Sequence, residues 1–334
     1  MKKAVFQKAM ENGMGRCVLE LDTPQGLKSF KEIVRDGCLR NVTEAAQIDE
    51  SRGEFLYTLV KKYKDDEYFL EPVLNLYINT KNSDKGLFRQ MTDFLWCFVN
   101  EGKIEIYDVL FGKLSELKKL ICSTEGADNS LELFRIACWA FIEYDDFKGY
   151  VSAIRAIDEI CLETSFENAD FDDILFSCSD KFLHRRILKE LHLYTSRKMF
   201  NHFYRILRQP QYNSPKVFSV PRKSEMAIPD VEDVYNHAME LSEMKEEADM
   251  KSVLFVCKQI LLLHNELQTK RVPKELLLFA YENSPSAVVR SQVLLLLGKK
   301  KMITPEIAAE CMHDCYKRTR SYINQYYKGL LENK

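Results

Sequence analysis

The chain has 334 residues and a formal net charge of −2, with 46% apolar and 29% charged residues. That balance excludes a disordered polyelectrolyte and permits a sizeable core, and overall it favours neither nucleic acid nor an anionic membrane. Twelve Gly and nine Pro are few for a fold of many strands and tight turns.

Nearly every segment carries the apolar spacing of an amphipathic helix. The first helix is expected over Lys2–Glu11, ended by Asn12-Gly13-Met14-Gly15. Cys17–Leu21 alternates weakly, as a lone extended piece would. Leu27–Arg35 follows Pro24 and is punctuated by Gly37. Asn41–Ala46 and Gly53–Tyr63 read as helices, the second capped by Asp49 or Ser51. Glu67–Asn79 tolerates Pro72 in its first turns. Lys85–Val99, Ile104–Cys122, Ser130–Glu143, Phe147–Glu163, Phe171–Phe182 and Arg185–Leu207 follow, the last with a break near Thr195. Four prolines (Pro210, Pro215, Pro221, Pro229) prevent a continuous helix over 209–229, which reads as a loop or linker. Helices resume over Val231–Met244, Met250–Leu267, Lys274–Asn283, Ser286–Leu297 and Pro305–Leu331. This predicts an all-α chain of two arms, 1–208 and 230–334, around a proline-rich segment.

Four pairs repeat a spacing. Ser83–Arg89, Asn129–Arg135, Ser179–Arg185 and Ser284–Arg290 each place a helix-capping residue six before an arginine. Bulky or apolar side chains follow each arginine at offsets of three, six and seven, the phasing of a capped helix buried along one face. An arginine early in a helix gains nothing from the macrodipole, so each of these needs an outside partner. Arg89, Arg135, Arg185 and Arg290 are therefore taken as structural repeat arginines. The run Ser284-Pro-Ser-Ala-Val-Val-Arg290-Ser-Gln-Val-Leu-Leu-Leu-Leu-Gly298 resembles the second helix of a HEAT repeat. In that family an Asp or Asn six before the arginine links neighbouring repeats; here Asn129 fits and the other three caps are serine. The resemblance implies an α-solenoid of stacked antiparallel helix pairs, a HEAT/armadillo-type superhelix with a long concave binding surface.

Charge is strongly segregated. Residues 143–180 hold eleven acids against two bases, residues 181–223 eleven bases against Glu190, and residues 224–250 nine acids against Lys245. The basic block interleaves Phe182, Tyr194, Phe200, Phe203, Tyr204 and Tyr212 with its cations, the combination that single-stranded nucleic acid needs. Its candidate anion contacts are Arg185, Arg186, Lys189, Arg197, Lys198, Arg205 and Arg208. The reading favoured from sequence is that the two acidic neighbours neutralise this block in cis. A second basic-aromatic strip, Tyr316 through Tyr327, reads as a terminal helix with a solvated face.

Catalytic and metal patterns are sparse. Cys311-Met-His313-Asp-Cys315 puts two thiols on one helix face with the imidazole opposite, which reads as core packing and not a zinc site. Glu44–Glu54 is dense in polar groups near Arg35 and Arg40 and reads as capping and solvated surface. Ten cysteines without a CxxC pair, and a basic start with no apolar run behind it, lead to the expectation of a reducing, cytoplasmic setting. No cofactor, metal or membrane is expected. The function expected is a non-catalytic scaffold binding a protein or peptide partner on its concave face. The alternatives are nucleic-acid binding through 181–223, or a repeat enzyme resembling the DNA alkylation-repair glycosylases with Glu190 as its acid.

Overall fold

The computed structural model describes all residues except 49, 81–83, 124–127, 145–146, 176–189, 207–229, 245–247, 268–271 and 333–334. The described residues are all-helical, with no strand among them. The elements are α1 (Lys3–Asn12), α2 (Arg16–Leu21), α3 (Pro24–Leu39), α4 (Gly53–Lys61), α5 (Asp66–Asn79), α6 (Lys85–Asn100), α7 (Ile104–Ser123), α8 (Asp128–Tyr144) and α9 (Phe147–Glu163). They continue with α10 (Asp172–Leu175), α11 (Arg197–Ile206), α12 (Val231–Met244), α13 (Met250–Leu267), α14 (Lys274–Asn283), α15 (Ala287–Lys299), α16 (Pro305–Cys311), α17 (Lys317–Tyr326) and α18 (Gly329–Glu332). Short 3₁₀ turns lie at Glu44–Ala46, Asn168–Phe171 and Leu191–Leu193.

Local chemistry explains many of the boundaries. Thr23 accepts the Gly26 N–H and Pro24 occupies the first turn of α3. Asp84 caps α6, Ser286 caps α15 and Thr304 caps α16 ahead of Pro305. Ser51 accepts the Gly53 N–H at the start of α4, as its spacing predicts. Gly13, at φ +71°, closes α1 in the left-handed conformation.

Several expectations shift. Cys17–Leu21 is helical, because Cys17, Val18 and Leu21 all turn into the core. Helix α3 runs on through Gly37 to Leu39, and Asn41–Ala46 holds only a 3₁₀ turn. The helix expected over Pro305–Leu331 is three helices, since the chain leaves α16 to donate the Cys315 N–H to the Gly13 carbonyl at 2.9 Å. The break near Thr195 is present between the 3₁₀ turn and α11.

The chain divides into two compact units, Met1–Val73 with Glu225–Lys334, and Leu74–Ser224. These bounds differ from the arms read in the sequence, and residues 209–229 lie outside the described residues. In the first unit α1, α2, α3 and α4 pack on one another, with Phe6 stacked on Phe30 at 4.1 Å. Its C-terminal half packs α12 on α13, α13 on α14 and α15, and α14 on α15, around Val256, Ile260, Leu277, Val293 and Leu297. The Glu44–Ala46 turn packs on α13, and Ile48 joins that core. In the second unit α6, α7, α8 and α9 each pack on their nearest neighbours in the chain. Trp96, 1% exposed, meets Tyr107 and Phe141 edge-on and stacks on Tyr144.

Candidate functional site

Three places concentrate chemistry. The first is a buried polar cluster in the first unit that gathers four segments far apart in sequence: 11–16, 50–53, 284–290 and 310–315. Arg52 donates to the Glu11 carbonyl (3.2 Å), to Glu50 (3.0 Å) and to the Pro285 carbonyl (2.8 Å). Arg290 donates to the Ser284 carbonyl (3.0 Å), to Asp314 (3.0 Å) and, at 3.4 Å, to the Gly13 carbonyl. Glu50 sits at the N-terminus of α15, where it accepts from the Ser286 hydroxyl and the Ala287 and Val288 N–H groups. A carboxylate there meets the positive end of the helix dipole and the otherwise unpaired amides.

The electrostatics follow from burial and pairing. Burial alone would raise the Glu50 pKa, but Arg52, Ser286 and Ala287 outweigh it and hold the carboxyl below its ordinary value. Burial works against the Arg290 charge too; Asp314 overcomes it, and the guanidinium pKa is raised. Glu310, bonded to Arg16 at 2.9 Å, stays above the usual range because burial outweighs that partner. Burial pushes the Cys315 thiol up to about 11 and the Cys311 thiol to about 12, so both are protonated at neutral pH and weak nucleophiles. Cys311 contacts the Tyr281 hydroxyl at 3.1 Å. Gly13 and Gly15 make the close approach possible: a Cβ would stand 2.4 Å from Cys315 Sγ at Gly13 and 1.9 Å from the Glu310 carbonyl at Gly15. The cluster is a clasp. It fastens α1 and the 50–53 turn to α15 and the 312–316 turn, and its charged groups are spent on one another.

The second place is α11. Arg197, Lys198, Asn201, Tyr204 and Arg205 are exposed, while Met199 and Phe203 are buried. Asp158 of α9 anchors its start, accepting the Ser196 N–H and hydroxyl at 2.5 and 2.6 Å, and the Ser196 hydroxyl in turn caps the Met199 N–H. His202 Nε2 lies 2.7 Å from Asp172, and Arg205 Nη2 lies 3.2 Å from His202 Nδ1. A guanidinium can only donate, so Nδ1 accepts and the Nε2 proton goes to Asp172. The third place is α7, where Ile104 (71% exposed) and Phe111 (44%) share a face, with Tyr107 stacked on Phe111 at 6.5 Å. Lys148 stands over the Tyr107 ring at 4.6 Å.

The sequence-predicted residues are dispersed among these places. Arg197, Lys198 and Arg205 share the α11 face; Arg185, Arg186, Lys189 and Arg208 lie outside the described residues. The repeat arginines have outside partners, but of different kinds. Arg89 lies 5.7 Å from the Trp139 ring, and Arg135 donates to Asp173 (2.7 Å) and to the Asp170 carbonyl (2.5 Å). Arg290 is buried in the clasp and donates to the Ser284 carbonyl; Ser284, read from the sequence as the cap of this helix, instead ends α14, and Ser286 caps α15. Arg89 is the fifth residue of α6, Arg135 the eighth of α8 and Arg290 the fourth of α15, so they do not occupy one helical position. Arg40 pairs with Glu11, and Arg35 with Glu32 at 3.9 Å and the Tyr68 ring at 4.7 Å, apart from Glu50. The role of Glu50 at a helix 237 residues away had no local signature. A positive-φ signal was legible at Asn12-Gly13. Among the described residues no group of His, Cys, Asp and Glu could hold a metal ion, and no helix is long and apolar enough to cross a membrane. No family model, curated protein or solved structure matches the chain.

Proposed function

We propose that the chain is a non-catalytic helical-repeat scaffold, HEAT-like in build, that holds a protein or peptide partner. The observation that carries this reading is the α7 strip. Ile104 and Phe111, seven residues apart, stand exposed on one face of α7 beside the half-buried Tyr107, where apolar side chains of this size are ordinarily turned inward. Nearest-neighbour packing of α6 to α9, and of α12 to α15, supports the stacked-hairpin build. The clasp supports the non-catalytic part, because its acids, thiols and guanidiniums are committed to holding segments together. The described cysteines are all free thiols, which suits a reducing, cytoplasmic setting.

The partner that fits α7 is an amphipathic helix. Two apolar anchors would cover Ile104 and Phe111, and an acidic residue beside them would meet Lys148. Selection from a displayed library of 16-residue peptides tests this. Selected sequences are expected to converge on two apolar residues one or two turns apart with a neighbouring acid. Phe111→Lys should weaken them by about tenfold or more, the value of one buried aromatic anchor of about 1.5–3 kcal/mol. Peptides without a shared pattern, or binding that ignores Ile104→Lys and Phe111→Lys, would reject the α7 site.

A further inference from the structure

We infer that a pocket in the first unit, between the end of α15 and the turn from α17 into α18, binds a small amphipathic anion, an aryl carboxylate. The inference does not rest on the α7 reading. The pocket has a volume of about 500 Å³, and its lining includes Gly298, Lys301, Ile303, Tyr326, Tyr327 and Leu330. That size suits a ring system with one polar head. The basic-aromatic strip 316–327, expected to be a solvated face, is divided by the fold. Lys317, Arg318 and Tyr326 stay exposed, whereas Tyr322 and Tyr327 are half-buried and bring their hydroxyls onto α15 at Gly298. A Cβ there would stand 2.2 Å from the Tyr322 hydroxyl and 2.8 Å from that of Tyr327, so the missing side chain is what admits both phenols. Burial first, and then Tyr327, raise the Tyr322 pKa, which keeps this phenol an uncharged donor at neutral pH.

The cation is Lys301. It follows α15 at φ +56°, donating its N–H to the Gly298 carbonyl at 3.0 Å, while the Met302 N–H reaches the Leu297 carbonyl at 2.9 Å. This is the helix-ending turn in which glycine ordinarily takes the left-handed position. A lysine held there carries strain that glycine would not. Its side chain lines the pocket. Among the described residues no acid lines that pocket, and no carboxylate lies within ion-pair distance of Lys301. Glu310 and Asp314 are paired with the cations Arg16 and Arg290. Residues 298–332 hold seven bases against four acids, so the surrounding field also favours an anion. The remaining walls set the rest of the ligand. Ile303 and Leu330 are aliphatic, and Tyr326, 63% exposed, offers a ring on which an aromatic ligand can pack. A methylated ammonium caged by the tyrosines fits poorly. Tyr322 lies 5.2 Å from Tyr326 and 5.6 Å from Tyr327, so the rings already pack on one another, and Lys301 repels a cation.

The test is ligand-observed saturation-transfer NMR of 2-naphthoate with the full chain. A ligand of this size at ordinary efficiency should bind with a Kd of about 1 mM or tighter. Lys301→Met should weaken it about tenfold or more, the value of one charge-assisted contact. Lys301→Gly should weaken it equally while leaving Tm unchanged or raised, because glycine relieves the left-handed turn. A lysine with a merely structural role would not separate the two readouts. Tyr327→Phe keeps the ring and should cost about threefold. Lys28→Met, the same change of charge on α3, should leave binding within about twofold. 2-Naphthylmethylamine, the same ring bearing a cation, should bind about tenfold more weakly than 2-naphthoate. No saturable binding of 2-naphthoate up to about 5 mM overturns the inference. So does binding that survives Lys301→Met, or a preference for the amine. A loss in Lys28→Met equal to that in Lys301→Met would show attraction by net charge alone and overturns it too. The α7 peptide assay is unaffected by any of these outcomes.

Discussion

Arg290→Met is the sharpest perturbation of the first unit. The arginine is 1% exposed and its change deletes hydrogen bonds to the Ser284 carbonyl, the Gly13 carbonyl and Asp314. Asp314, 4% exposed, would be left buried without its counter-charge. Removing one member of a buried pair costs about 3–5 kcal/mol. Asp314 keeps the Tyr316 N–H at 2.8 Å, which puts the expected loss near the lower end, about 3 kcal/mol. For a unit of this size that is a fall in Tm of about 6–12 °C. Asp314→Leu added to Arg290→Met should recover about 1–3 kcal/mol, because the second change removes the stranded charge. Thermal and urea unfolding followed by far-ultraviolet ellipticity reads the helices of both units. Both tryptophans, Trp96 and Trp139, belong to the second unit, so their fluorescence reports that unit. A Tm change under about 2 °C, or strict additivity in the double variant, would refute the clasp. So would a shift confined to the tryptophan transition.

Three further outcomes follow from the same geometry. Gly13→Ala forces a side chain into the left-handed region and onto Cys315, and should cost about 2–4 kcal/mol in urea unfolding. Glu50 has a folded pKa below its unfolded value, so its contribution is complete above about pH 4.3 and disappears as pH falls through the folded value. The Tm gap between the native chain and Glu50→Gln should therefore be wide at pH 7 and narrow progressively below about pH 4; a constant gap would contradict the assignment. Asp158→Ala strips both Ser196 bonds from the start of α11 and should cost about 1–2 kcal/mol, with faster hydrogen exchange in the first turn of α11 than in α9.

The helices were legible because each depends on neighbours three, four and seven residues away. Apolar periodicity marked α6, α7, α9, α12 and α14 close to their ends, and Ser51 acts as its chemistry dictates, whereas the cap of α15 is Ser286 and not Ser284, the residue six before Arg290. The arginine argument held in part. The dipole at Arg290 did demand an outside partner, and Asp314 supplies it. Equivalence among the arginines did not hold in their surroundings, since the same local spacing precedes an aromatic ring at Arg89, an acidic turn at Arg135 and a buried carboxylate at Arg290.

The α11 face was visible as an alternation of cations and rings. Whether the acids on either side cancel it could not be read from a charge count, because a count does not say which carboxylate reaches which donor. Sequence alone determined an all-helical chain, most of its helix ends and its charge blocks, since those rest on interactions within a few residues. Tertiary structure decided that Glu50 caps a helix 237 residues onward, that Gly13 must lack a side chain to admit Cys315, and that Asp158 and Asp172 accept hydrogen bonds from Ser196 and His202. These pairings are set by packing between distant segments, where burial makes each unpaired polar group too costly to leave, and no local pattern encodes them.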